Sequence, residues 1–481
     1  MRYVIAILLL CHTLCLSAQN IKAIYEDFRK EAEHEYSSFR DECNKKYAEF
    51  LLTAWDWHEG KAPMPMPKDE RPVPPKPYDG KGHDTPVEVL PISIKPIEDT
   101  PQPKPIEPIK EQSTPEDNYF TFDFYGNSCQ VRMWATANFK LSDCSPISIS
   151  DSWKRLCSPN MNNAIRDCLE ARIRYNLCDW AYLMFLDKLC NSFCPDKNTA
   201  TLLMAFLYCQ SGYQMRLGVD GGNLVMLYGS KHQIYDMGYF SLNGLKFYPY
   251  GNTSNSISIC DAAFEGETPL SLLITREPML GGDLSAERDI KSRLYATMEV
   301  QSRVPENLVK FYDGYPTSAI DGNHMTRWAM YANTPLAQKT RDLVYPTLRK
   351  AIEGVSAHEA ANMLLNWVQT GFVYEYDDKV WGHDRAFFAE ESLYYPYCDC
   401  EDRSILFSRL VRDLLGLDVA LIYYPGHLAT AVCFNDDVAG DAMLIDSRKF
   451  IVCDPTYIGA PVGTQMPGLE YEKVLSIILS R

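Results

Sequence analysis

Three short stretches of this sequence carry residue types that can do covalent chemistry: YCDCEDRSILFSRLV, PGHLATAVCF and KFIVCDPTY. They place Cys398 and Cys400, then His427, then Cys453 and Asp454, in chain order. A thiolate is a nucleophile, an imidazole can take the thiol's proton, and a carboxylate can fix the imidazole's tautomer. Cys400, His427 and Asp454 therefore form a candidate nucleophile, base and orienter. Cys398, Cys400, His427 and Cys453 are also residue types that zinc accepts. Yet Cys-x-Cys is tighter than the usual gap between zinc cysteines, and no second close pair accompanies it. The reading is a thiol site, with no metal and no cofactor expected.

The flanking pattern says how these residues are positioned. Leu406, Phe407, Leu410, Val411, Leu414 and Leu415 mark one face of a helix that Gly416 ends, which puts Cys400 at its N-terminus. Free amides and the helix dipole there should lower the thiol pKa, more for Cys400 than for Cys398. Glu401 and Asp402 oppose this if they face the sulfur, and Arg403 partly offsets them. Residues 418–424 predict a strand, Pro425-Gly426 a turn, and 427–434 the returning strand. Residues 449–454 predict a further strand, broken by Pro455. Antiparallel pairing of the last two brings Asp454 beside His427 and sets Cys433 and Cys453 on opposite faces. The Cys400 amide is one candidate oxyanion donor, and Trp381 and Tyr394 are others.

The order of cysteine at a helix start, histidine on the second following strand and aspartate on the next is similar to the transglutaminase-like superfamily. DCEDRS, PGHLATAV and CDPTY resemble its three catalytic segments, more particularly those of exported bacterial members, and WVQTGFVYEYDD and DRAFFAEES resemble its approach to the cysteine. The resemblance covers roughly residues 351–462. It implies an α+β fold with a papain-like core, in which a helix bearing Cys400 packs on an antiparallel sheet bearing His427 and Asp454. It also implies a cysteine protease or amidase that works on peptide or other amide bonds through a thioester acyl-enzyme, with hydrolysis favoured over cross-linking. Where the family often has Gly-Asp/Gln-Cys, this chain has Cys398-Asp399-Cys400. A non-catalytic envelope binding or scaffold protein with a relic site is the alternative.

Composition sets the remaining bounds. The chain has 481 residues, a net charge of −16 and no basic block, which excludes a nucleic-acid surface. Residues 1–18 read as a signal peptide: Arg2, an apolar run from Val4 to Leu16, then Ser17-Ala18 before Gln19. The expected location is periplasmic or secreted, without an integral membrane segment. Of 16 cysteines, removing Cys11 and Cys15 leaves fourteen, most of them read as small buried hydrophobes.

Residues 19–60 read as an amphipathic helix over 21–57, and 61–117 as an extended, semi-rigid Pro-rich linker, since fifteen of 30 prolines fall between Lys61 and Glu116. Residues 118–265, 266–333 and 334–481 follow as a first domain, a mixed connecting segment and the catalytic domain. At a constant separation of 204, Gly212, Gly222 and Leu224 match Gly416, Gly426 and Leu428. This echo predicts that the first domain is a degenerate copy of the last, with Asp196 opposite Cys400 and Asn223 opposite His427. Sequence leaves the substrate and the oligomeric state open.

Overall fold

The computed structural model describes residues 39–68, 72–98, 102–105, 109, 119–133 and 139–480. The expected signal segment and the first part of the expected N-terminal helix lie outside them.

Residues 39–53 are helical and bury Cys43, Tyr47 and Leu51, one stripe at intervals of four. Tyr47 meets Trp153 with ring centroids 4.8 Å apart, so this helix is docked on the first half of the chain. It stops earlier than its periodicity suggested. Trp55–Glu59 is a strand instead, paired antiparallel with Ser256–Cys260. Tryptophans at alternate positions fit a pleated edge, and the ladder hydrogen bonds outweigh the last helical turn.

That strand is one edge of a six-stranded sheet, which runs in the order Trp55–Glu59, Ser256–Cys260, Met215–Asp220, Asn223–Ser230, Leu245–Pro249, Phe240–Leu242. A seven-stranded sheet in the second half runs Ile92–Ile94, Leu475–Ile478, Asp418–Tyr424, His427–Cys433, Arg448–Cys453, Ala442–Ile445, Glu88–Val89. Taken from the same end, the first six strands of the second sheet repeat the order of the first. A helix precedes the central hairpin in each half: Lys197–Gln210 in one, Cys400–Leu415 in the other. The hairpins share a register. Met215 opposes Tyr228 and Asp220 opposes Asn223, while Val419 opposes Val432 and Tyr424 opposes His427. Adding 204 to each residue of the first hairpin gives the pairs of the second.

The echo fails at the helix start. Asp196 caps its helix through the Thr199 amide, as Asp399 caps its own through the Glu401 amide. Asp196 therefore stands where Asp399 does, one residue from the match predicted, and Lys197 holds the position of Cys400.

The described parts of the Pro-rich segment are extended, as their prolines require, but they are not a free spacer. Glu88–Val89 and Ile92–Ile94 form both edges of the seven-stranded sheet, and Lys76–Pro77 pairs with Tyr457–Ile458. Proline has no N–H for a central ladder, so short pieces between prolines are confined to edges, where one side needs no partner. The segments expected as separate N-terminal units thus complete the sheets of the two later regions.

The connecting segment packs between the halves. Its hairpin Arg288–Lys291 and Glu299–Ser302 lies against helix Ala357–Gly371, where Trp367 Nε1 donates to Ile290 O at 3.1 Å. One apolar core then runs from Trp153 and Phe206 to Phe407, Leu410 and Val419. The class is α+β, and no helix among the described residues is long and apolar enough to cross a membrane.

Candidate active site

Cys400 opens its helix as expected. Asp399 is the N-cap, its backbone N–H donates to Asp402 Oδ2 at 3.2 Å, and Gly416 ends the helix with a left-handed φ of 65°. Ser404, on the first turn, donates to Leu428 O at 3.0 Å. This ties the helix start to the start of strand His427–Cys433, and the Leu428 N–H faces the Cys400 sulfur.

The strand bearing Asp454 pairs with Thr430 opposite Cys453 and Val432 opposite Ile451. By that register Asp454 lies across from Ala429, two residues from the pairing expected with His427. An even shift preserves the face, so the two side chains still meet. His427 Nε2 and Asp454 Oδ2 are 2.9 Å apart. Asp454 Oδ1 accepts from the amides of Thr456 and Tyr457 at 2.8 and 3.2 Å. Cys433 and Cys453 lie on opposite faces and are free, as are all fourteen cysteines from Cys43 onward.

The third member is near but not joined. His427 Nδ1 is buried and has no hydrogen-bond partner. The Cys400 thiol donates to Glu401 Oε2 at 2.7 Å. Burial pushes the Cys400 pKa well above the ordinary thiol range, the charges of Glu401 and Asp399 push it further, and the Leu428 amide only partly opposes them. This reverses the expectation from helix position alone. The dipole contributes a fraction of a charge, whereas a desolvated carboxylate stands in contact with the sulfur. Arg403 does not offset it. Its guanidinium turns to Cys398 Sγ at 3.4 Å and to the carbonyls of Gln369 and Phe372 at 3.1 and 3.0 Å. Cys398 is nonetheless pushed by burial to about 11. All three members are enclosed: Cys400, His427 and Asp454 are 7, 1 and 2% exposed.

Around Cys400 lies a buried carboxylate cluster. Asp399, Cys400 and Glu401 come within 4.8 Å of one another, as do Asp377, Asp399 and Asp402. The four-residue zinc set of Cys398, Cys400, His427 and Cys453 does not converge among the described residues. Burial, then the Glu401 charge, raises Asp377 to about 8, and burial with Glu401, Asp402 and Asp377 raises Asp399 well above the carboxylate range.

Two residues at the site were not singled out from sequence. Gln369 Nε2 faces the carbonyls of Asp454, Tyr457 and Ala460 at 3.0, 2.8 and 3.0 Å, and its Oε1 accepts from the Gly459 amide at 3.0 Å. It clamps the turn that carries Asp454. A fully polar side chain beside Trp367 and Val368 on a buried helix face was the available signal. Tyr374 sits on a two-residue strand paired in parallel with Tyr397–Cys398. Burial and the adjacent Cys400, Asp399 and Glu401 raise its phenol far above the usual range. The two side chains expected as oxyanion donors pack among other rings. Trp381 packs with Phe387 and Tyr395 under the Arg385 guanidinium, and Tyr394 packs on Tyr395.

Among the described residues the first half holds no equivalent set. At the His427 position Asn223 is exposed. The Leu224 amide, equivalent to the Leu428 amide that meets Cys400, donates to Asn198 Oδ1 at 2.9 Å. That amide is therefore taken up by the side chain next to Lys197.

The chain matches no family model and no curated protein.

Proposed function

We propose that this chain is an exported cysteine-nucleophile hydrolase, with the papain-like core of the transglutaminase-like enzymes in its second half and a degenerate copy of that core in its first. The observation that carries the reading is the buried His427–Asp454 pair. Asp454 takes Nε2, which leaves Nδ1 unpartnered on a strand whose next amide faces the Cys400 sulfur. A buried imidazole nitrogen without a partner is unfavourable unless something else uses it.

In this mechanism the Cys400 side chain turns from Glu401 to His427 Nδ1, which takes the thiol proton. The sulfur adds to an amide carbonyl, the Cys400 amide and the Tyr374 hydroxyl face the oxyanion, and the imidazolium protonates the departing amine. Water, deprotonated by the same imidazole, resolves the thioester to acid and free thiol. An amine in place of water gives cross-linking instead. Asp454 holds the tautomer throughout.

The alternative is an envelope binding or scaffold protein with a relic site, and one observation favours it: the thiol is bonded to Glu401 and not to the imidazole. A fluorescent chloroacetamide probe separates the two readings. Under the enzyme reading, one cysteine labels fast, Cys400→Ser abolishes that label, Cys398→Ser keeps it, and His427→Ala slows it at least tenfold. Equal labelling of the wild type and His427→Ala variant establishes the relic.

A further inference from the structure

Residues 72–78 read Pro-Val-Pro-Pro-Lys-Pro-Tyr. Such a stretch is stiff and extended, cannot pair with itself, and keeps N–H groups only at Val73, Lys76 and Tyr78. Two of these reach the backbone that flanks His427 and Asp454. The Val73 amide donates to Gly426 O at 2.8 Å, immediately before His427, and the Tyr78 amide donates to Ile458 O at 2.9 Å, just past Asp454. Between them Lys76 opposes Tyr457 in a parallel pairing, and its ammonium donates to Pro467 O at 2.8 Å.

The side chains dock too. Val73 and Tyr78 pack on the cluster that holds Tyr424, Ala429 and Tyr457. Tyr424 opposes His427, and their rings lie nearly parallel at 6.2 Å. Tyr78 meets Tyr457 edge-on at 5.5 Å, and the Tyr457 amide is held by Asp454 Oδ1. The strap therefore covers the sheet face that carries the imidazole, and it is fastened on either side of the His427–Asp454 pair.

We propose that this surface is a binding site for an extended, proline-bearing polypeptide, filled here by the chain's own residues 72–78, and that a peptide substrate enters by taking their place. This rests on the hydrolase reading and names its substrate class. The recognition chemistry is visible in the strap. Backbone donors spaced by prolines meet the Gly426 and Ile458 carbonyls, an aromatic ring meets Tyr457, and a cation meets the Pro467 carbonyl. A preformed extended chain loses little entropy on docking, which suits it as a ligand and as a tethered competitor.

Val73→Pro in the full chain removes one donor while keeping the extended backbone, and Tyr78→Ala removes the ring. A fluorescein-labelled peptide copying residues 72–80 is titrated into the wild type and the double variant, followed by anisotropy. The variant is expected to bind at least tenfold more tightly than the wild type, whose site is filled, and a scrambled peptide not at all. Equal binding to both proteins, or to neither, overturns the site. Should the double variant fail to fold, Lys76→Ala alone gives the same comparison.

Chloroacetamide labelling of Cys400 supplies the second readout. It is expected to rise at least threefold when the strap is released and to fall back when the peptide is added. A rate unmoved by either overturns the substrate assignment. If Cys400 labels in neither protein, the hydrolase reading is what fails, and anisotropy still decides whether the peptide site exists.

Discussion

Asp454 uses its two oxygens for different tasks: Oδ2 lies 2.9 Å from His427 Nε2, and Oδ1 caps the Thr456 and Tyr457 amides. Asparagine has one acceptor and one donor in their place. If its oxygen keeps the two amides, its NH2 faces Nε2 and forces the proton onto Nδ1, where it blocks uptake of the thiol proton. Asp454→Asn is therefore expected to slow Cys400 alkylation and turnover by about 10² or more with little loss of fold, and His427→Ala by more. Measured pH–rate profiles check this: an Asp454→Asn profile that overlays the wild type removes Asp454 from the mechanism.

Glu401 sets the ionisation of the thiol. Its Oε2 accepts from Cys400 Sγ at 2.7 Å, and its charge adds to burial in raising the thiol pKa. Glu401→Gln removes that charge and keeps an acceptor, so the thiol becomes more acidic. Below the thiol pKa, each unit of decrease gives tenfold more thiolate at a fixed pH. The expected result is an alkylation profile displaced toward lower pH, with Cys400 reacting about three- to tenfold faster near neutrality. An unmoved profile means that Glu401 holds no charge against the sulfur.

Much of this site was legible because its signals are local. The apolar face from Leu406 to Leu415 and the stop at Gly416 placed Cys400 at a helix start, and the turn at Pro425-Gly426 fixed the hairpin. Topology was legible through the 204-residue echo, since a register shared by two hairpins leaves its glycines and leucines at one spacing. What failed was non-local. Whether Glu401 turns toward the sulfur depends on what else fills the buried space, and Arg403 is drawn off by carbonyls more than thirty residues upstream in sequence. The Pro-rich segment was readable as extended, but its edge partners, up to Ile477, left no periodic mark in a stretch of alternating prolines.

Gln369 gives a test of positioning without chemistry. Its side chain is buried and holds the backbone of Asp454, Tyr457, Gly459 and Ala460 together. Gln369→Leu takes the side-chain partner from the Ala460 carbonyl and the Gly459 amide, while the Asp454 and Tyr457 carbonyls keep only the Tyr457 and Ala460 amides. Each buried unpaired group costs about 1–3 kcal/mol, so a loss of roughly 3 kcal/mol is expected in urea unfolding. Gln369→Glu keeps the acceptor but not the donors and should fall between. The reactivity of Cys400 should drop with the first variant even where the fold is fully populated, because the Asp454 turn loosens. Unchanged reactivity at full folding would restrict Gln369 to stability alone.

The buried carboxylates make stability depend on pH with an unusual sign. Burial raises Glu390 to about 8, Glu391 to about 7 and Asp377 to about 8, from ordinary values near 4. In the unfolded chain these groups release their protons near pH 4, whereas the native chain keeps them to pH 7–8. Between those limits the native state binds more protons than the unfolded state, so unfolding free energy falls as pH rises. Their contribution is complete below about pH 4 and is lost on passing 7–8. One pKa unit corresponds to about 1.4 kcal/mol, so even part of the Glu390 shift should remove on the order of 2 kcal/mol between pH 5 and pH 8. Urea unfolding at the two pH values measures it. Glu390→Gln keeps an acceptor for the Ala337 amide that Glu390 Oε1 binds, and it has no proton to lose. The variant should show a shallower fall than the wild type across the same interval. A wild-type midpoint that rises from pH 5 to pH 8, or a Glu390→Gln slope as steep as the native one, contradicts the assignment.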